Sequence, residues 1–146
     1  MIPNEAKRLL LRGNVHLEND DFEVLLLNDG ETFTPDPNDH EHVADVLDDA
    51  TEYGDENYER KELENTEVVT DGNQVQWQAD DPVWKDLGSE LGEIIQTVVV
   101  FRDEVDDSES TVIRILDDSW EPKLPLGTNG SDVTFEWDDT GILTLE

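Results

Sequence analysis

The side chains most able to do chemistry are three histidines and a large excess of carboxylates. His40-Glu41-His42 has a metal-binding spacing, with Asp36 and Asp39 close by. On an α-helix, however, side chains two positions apart diverge by about 200°. The pair could share an ion only at a helix start or in a strand, so polar groups solvated at a helix start are the plainer reading. Calcium would find oxygen ligands everywhere. Yet no segment carries D-x-[DN]-x-[DN]-G with a Glu at the twelfth place. Asp36-Pro37-Asn38-Asp39-His40 starts that way and lacks the glycine, and the loop Asp103 to Glu109 reads as an acidic surface loop.

Hydrolytic chemistry has no better footing. With 39 Asp and Glu, paired carboxylates arise by chance throughout the chain. There is no G-x-S-x-G, no phosphate-binding loop and no G-x-G-x-x-G, the glycine patterns that nucleophile elbows and nucleotide sites require. The absence of cysteine removes thiolate metal sites and disulfides. No catalytic residue, cofactor site or metal site is expected. Asn129-Gly130-Ser131 is both an N-glycosylation sequon and an Asn-Gly turn, and the turn is the stronger reading.

Charge then narrows the partners. Nine Lys and Arg against 39 Asp and Glu give a formal net charge of −30 over 146 residues. Such a surface repels nucleic acid and anionic membranes. Disorder does not follow, because Leu, Val, Ile and Phe make up about 27% of the chain, above the roughly 20% below which chains stay unfolded. The acids are dispersed, with no contiguous run longer than a pair, as at Asp20-Asp21 and Asp138-Asp139. Dispersal fits adaptation to molar salt, where the screening length falls to about 3 Å. A calcium or DNA-mimic function would concentrate the acids in blocks.

Lys7, Arg8 and Arg12 depart from that background, being three of nine cations within the first 12 residues. They lie on a segment predicted to be helical over residues 4–12, with Asn4 as cap and Gly13 as terminator. Internal ion pairs with Glu5 or Glu18 are one use for them. Docking to another acidic surface is the other, with Ile2, Leu10 and Leu11 as apolar anchors. Among the four tryptophans, Trp77, Trp84 and Trp137 sit in strand-like contexts. Trp120, between Ser119 and Glu121, is the candidate for an exposed, glycan-contacting platform.

The elements that must position these groups are mostly strands. Phe22 to Leu27 reads as a buried strand closed by Asp29-Gly30. Val43, Val46, Leu47 and Ala50 predict a second helix over 39–51, with Asn38 and Glu41 as a capping box. Strands are expected up to Val68-Val69, then at Val75 to Ala79 with its glutamines outward, near Pro82 to Leu87, at Ile94 to Phe101 as the central strand, and at Thr111 to Leu116. Two more are expected at Val133 to Trp137 and at Ile142 to Leu145. The sum is one domain over 1–146, with 1–13 as a possible docking helix. Its expected fold is an antiparallel β-sandwich of jelly-roll or Ig-like type, with a short N-terminal helix and one further short helix. No apolar run is long enough to span a membrane, and the first residues lack a secretory signal.

In their order, these segments resemble a family of small virion proteins from tailed phages and tailed archaeal viruses. The similar stretches are Leu10 to Val15, Asp20 to Leu27, Phe33-Thr34-Pro35-Asp36 and Ala44-Asp45-Val46. They continue through Gly54, Tyr58, Arg60 and Leu63, then Asp80 to Trp84 with Leu87-Gly88, and Val98 to Asp103. The last are Gly127 to Trp137 and Gly141-Ile142-Leu143. The resemblance implies a non-enzymatic virion component, a decoration or turret subunit on the capsid surface, assembled in the host cytoplasm. It would bind the major capsid protein or other virion proteins and itself as a trimer or higher ring, with no nucleic acid or membrane as partner. The acid substitutions and the longer loop Glu104 to Ser110 point to a haloarchaeal virus. A tail or connector component, an acidic DNA mimic and a glycan-binding module are the rivals.

The solvent reading predicts a salt requirement. Diluting the protein from molar KCl to about 0.05 M, where the screening length exceeds 10 Å, should lower its thermal midpoint in circular dichroism. An unchanged midpoint would contradict halophilic adaptation.

Overall fold

The structure is a computed structural model, described here for residues 1–28, 33–88 and 94–146. The turn expected at Asp29-Gly30 lies outside these residues. In chain order the elements are α1 (Asn4–Arg12), β1 (Phe22–Leu27), α2 (Val43–Asp49), β2 (Lys61–Glu62), β3 (Glu67–Asp71), β4 (Gln74–Gln78) and β5 (Val83–Trp84). They continue as β6 (Ile94–Ile95), β7 (Thr97–Arg102), β8 (Val112–Leu116), β9 (Leu126–Gly127), β10 (Val133–Thr134) and β11 (Leu143–Leu145). Among the described residues the fold is mainly β, every strand pairing is antiparallel, and two short helices are present, as expected.

The largest sheet has the order β2-β1-β7-β8. β1 and β7 pair over their full length, from Phe22 opposite Arg102 to Leu27 opposite Thr97. Alternate residues of these strands feed two separate apolar clusters. Phe22, Val24, Leu26, Val98 and Val100 enter one, together with Trp77, Trp84, Ile95, Phe135 and Leu143 from the smaller sheets and connections. Leu25, Leu27, Val99 and Phe101 enter the other, together with Phe33 and with Val43 and Val46 of α2. Both faces are therefore dry, which is why these strands are apolar at nearly every position. An edge-on contact between Phe22 and Trp77, 4.8 Å between ring centres, joins this sheet to the three-stranded sheet β11-β4-β3.

Several expected boundaries shift for identifiable reasons. The run Ile94 to Phe101 divides at Gln96. There the backbone N–H turns to Leu27 O (2.9 Å), and β6 leaves to pair with β9. The second helix starts at Val43 rather than at residue 39. The Asp36 carboxylate takes the N–H groups of Asn38 and Asp39 in a tight turn, and backbone at Glu41 and Val43 pairs with Val112 and Ser110 beside β8. The capping box consequently forms at His42 and Asp45, not at Asn38 and Glu41. Asn4 does not cap α1 either. Pro3 holds that position, and the Asn4 amide donates to Asn38 Oδ1 (2.7 Å).

In β4 the expected alternation is inverted at two places. Gln76 is 2% exposed, whereas Val75 is 41% exposed. Gln76 tolerates burial because the glutamines bond in series, Gln78 to Gln76 (2.8 Å) and Gln76 to Gln74 (3.3 Å). Val75 lies opposite Leu145 and Thr70 at an end of the sheet that runs past the core.

Gly88 is required by a close approach. Its φ is +74°, and a Cβ there would sit against Thr128 Oγ1, 2.6 Å from Thr128 Cβ and 2.8 Å from the Tyr53 hydroxyl. Tyr53 and Thr128 are hydrogen-bonded to each other at 2.8 Å in the core.

One surface of the sheet carries stored repulsion. Glu23 of β1 lies directly opposite Glu62 of β2, a like-charge arrangement that weakens sheets. Burial, and after it the charge of Asp103, push the Glu23 carboxyl above its ordinary value of 4.5. The native state therefore holds this proton more tightly than the unfolded chain, and stability falls as pH rises through the raised value. Glu23→Gln should raise the thermal midpoint at pH 7 by about 2 °C or more. The gain should shrink below pH 4.5 and in molar salt. A gain independent of both pH and salt would overturn this account.

Candidate docking surface

α1 has one side fixed to the protein and one side free. Ala6 is fully buried, and Ile2, Leu9 and Leu10 pack partly buried against the first apolar cluster. The Met1 nitrogen and carbonyl bond to the carbonyl and N–H of Ile115 (2.7 and 2.8 Å), covering the outer edge of β8. At the other end Gly13, with φ +73°, closes the helix in the left-handed conformation that glycine adopts without penalty. Of the apolar anchors proposed from the sequence, Ile2 and Leu10 thus serve the chain's own core. Leu11 stands 91% exposed.

The cations of this helix divide in the same way. Arg8 pairs with Glu5 (2.7 Å) and Glu41 (2.9 Å), and these hydrogen bonds hold its guanidinium above its ordinary pKa. Such exposed pairs add little to stability, because water and salt screen them. Lys7 donates to Asn4 Oδ1 (3.1 Å). Among the described residues neither Lys7 nor Arg12 forms an ion pair. Glu18, a candidate partner, instead accepts the backbone N–H of Val68 (3.2 Å) on β3. Lys7, Leu11 and Arg12 therefore form an outward face, one turn long, with an exposed leucine beside two cations.

The histidines do other work. His40 is 4% exposed, so it is not a solvated helix-start residue. Its Nδ1 accepts the Asp36 N–H (2.8 Å), which places the proton on Nε2, facing Asp49 Oδ2 at 2.9 Å. The ring also packs edge-on against Phe33. His42 turns to a different carboxylate, Asp45. Among the described residues no three His, Asp or Glu side chains gather as a metal site. The 103–110 loop is closed locally, because Asp106 Oδ1 accepts the N–H groups of Ser108 and Glu109. The Ser108 hydroxyl, foremost, keeps that carboxyl below its usual range.

Trp77, Trp84 and Trp137 each donate the indole N–H to a backbone carbonyl, of Leu17, Glu59 and Asp80 respectively. Trp120 is 57% exposed, and the Arg114 guanidinium lies 5.4 Å from its ring centre. Beside its turn opens a cleft of about 450 Å³ lined by Phe33, Thr34, Gln96, Asp117, Asp118 and Ser119. Three distant segments build that cleft, and no local sequence pattern announces it. Among the described residues, no helix is long and apolar enough to cross a membrane.

Compared with protein-family models, with curated proteins and with solved structures, the chain gives no match in any of the three.

The histidine geometry separates structure from metal binding. His40→Ala, which removes a buried bridge between Asp36 and Asp49, should cost about 2–3 kcal/mol. His42→Ala, which removes a helix cap, should cost about 1 kcal/mol. Urea unfolding with and without EDTA checks both values. A loss of stability caused by EDTA in the wild type and absent from His40→Ala would restore a metal site.

Proposed function

We propose that this chain is a non-enzymatic virion structural subunit, decorating or stabilising the capsid of a tailed virus with a halophilic archaeal host. It docks on the major capsid protein or another virion protein and on further copies of itself, as a trimer or higher ring. The observation that carries the docking is the outward face of α1. An exposed Leu11 flanked by Lys7 and Arg12, neither of which forms an ion pair among the described residues, sits on a helix whose opposite side is fixed to the core. The resemblance of its segment order to small virion proteins is what suggests the setting.

The mechanism is repetition of a modest contact. Each copy buries little, and many copies on a lattice gain by avidity. In molar salt the cations act only at contact range, so Leu11 anchors while Lys7 and Arg12 select an acidic patch on the partner.

Immunogold labelling of purified particles tests the setting, with label expected on the head. Label on the tail would reassign the subunit to a tail or connector role, and absence from particles would overturn the virion reading. For the docking face, point variants are preferable to deleting residues 1–12, since Met1, Ile2 and Leu10 hold the fold. Leu11→Glu with Arg12→Glu should fold normally and bind particles lacking the protein about tenfold more weakly. Wild-type occupancy by this variant would remove α1 as the docking element.

A further inference from the structure

We infer that Arg114, stacked on Trp120, receives the acidic loop Asp103 to Glu109 of a second copy of this chain, with Val105 of that loop against the indole. The inference deepens the self-association proposed above, rests on it for the existence of contacts between copies, and names the surfaces that meet. Neither surface includes α1. Arg114 is an anomaly among the cations. It pairs across the sheet with Val100, on the face that feeds the first apolar cluster, and its Nε is buried with no hydrogen-bond partner. Among the described residues it forms no ion pair, although the chain has 39 carboxylates. Lys7 and Arg12 also lack ion pairs, but both are exposed. Burial lowers the Arg114 pKa. A guanidinium that is partly desolvated and unpaired costs stability, and its planar fork fits a carboxylate.

The exposed Trp120 ring completes the receiving surface. Its centre lies 5.4 Å from the guanidinium, a stacking that orients the cation. The turn beneath it is tied by N–H groups of Trp120 and Glu121 on Asp117 O (3.1 and 2.8 Å). Two of the turn's own acids serve local N–H groups, Asp117 that of Ser119 (3.0 Å) and Glu121 that of Lys123 (3.2 Å). Arg and Trp held in place together are the residue types that dominate interface centres. Charge and one apolar side chain select the occupant. Val105 stands 89% exposed between Glu104 and Asp106, with Asp103 and Glu109 also exposed. The loop is braced by the Glu104 N–H on Ser110 Oγ (3.1 Å) and the Ser110 hydroxyl on Asp106 O (2.9 Å). An exposed valine among carboxylates thus complements an exposed indole beside an unpaired cation. Because one chain carries both surfaces, the contact is heterologous, and its repetition gives a ring where the rotation closes. Molar salt confines the repulsion between acidic bodies to about 3 Å, so the groups in direct contact decide.

Sedimentation velocity of the full chain in molar KCl, over a series of concentrations, tests the pairing. The wild type should self-associate with a Kd of about 100 μM or below. Trp120→Ala and Val105→Asp, both at exposed positions, should each weaken association about tenfold or more with unchanged circular dichroism. Arg114→Gln should weaken it similarly. An equimolar mixture of Trp120→Ala and Val105→Asp should associate again but stop at pairs, since each chain keeps the surface that the other lacks. Leu11→Glu with Arg12→Glu should associate like the wild type. Loss of association in that variant alone would assign the contact between copies to α1 and overturn the pairing. A wild type that stays a single chain at every concentration would overturn it too, and labelling of particles still decides the virion reading separately. A mixture that fails to associate would remove the loop as the occupant.

Discussion

The pairing of β1 with β7, dry on both faces, is the constraint on which the rest of the molecule depends. Buried backbone must be bonded within the protein, and the six pairs from Phe22–Arg102 to Leu27–Thr97 do this. Each face must then be covered. Trp77, Trp84, Phe135 and Leu143 cover one and α2 with Phe33 the other. The outer edge of β8 is met by Met1 at Ile115 and by Glu41 and Val43 at Val112 and Ser110. Closing an edge in this way removes a template for unwanted pairing. It also explains why the first residues serve the fold before they serve any partner.

A chain with so few cations must place each one where it counts. Arg60 is the clearest case, joining Glu52 (2.9 Å) to Asp107 (2.7 Å) while lying over the Phe101 ring. Those two carboxylates hold its charge firmly, and Tyr58 donates to the same Glu52 at 2.6 Å. One guanidinium thus ties three segments to the second apolar cluster. Many acids, for their part, act as local braces. Asp36, Asp106, Asp117 and Asp138 each accept backbone N–H groups two or three residues ahead. At these four turns the acid serves the local backbone as well as the surface charge, since each turn needs its own acceptor.

What could be read from the sequence follows the range of the forces involved. α1, β1, β4 and the mainly β class were legible because apolar spacing and terminal glycine are local signals. The start of α2 was not, because Asp36 and the backbone beside β8 compete for residues 38–43. Gln96 could not be recognised as a break between strands, since the carbonyl that diverts it belongs to Leu27. His40 reads as solvated only until Asp36, Asp49 and Phe33 are brought around it. Tyr58, Arg60 and Gly88 stood out through the family resemblance, and in the structure their contacts are those of packing and internal charge pairing. At the docking face, residue types were legible and their direction was not. Helical spacing alone does not say that Leu10 turns inward while Leu11 remains outside.

The proposed docking face also resolves a tension within the charge. A surface at −30 would repel a second acidic subunit over long distances in dilute buffer, so lattice assembly would be opposed before contact. In molar salt the opposing field extends only about 3 Å, and assembly is then decided by what touches. At that range a cation contributes through hydrogen bonding to a carboxylate, and an exposed leucine through the water it releases. Lys7, Leu11 and Arg12 are suited to that regime because, among the described residues, none is committed to an internal ion pair or to the core. On that proposal salt would serve assembly twice: it would let the acidic body fold, and it would let like-charged copies approach closely enough for a small face to select its partner.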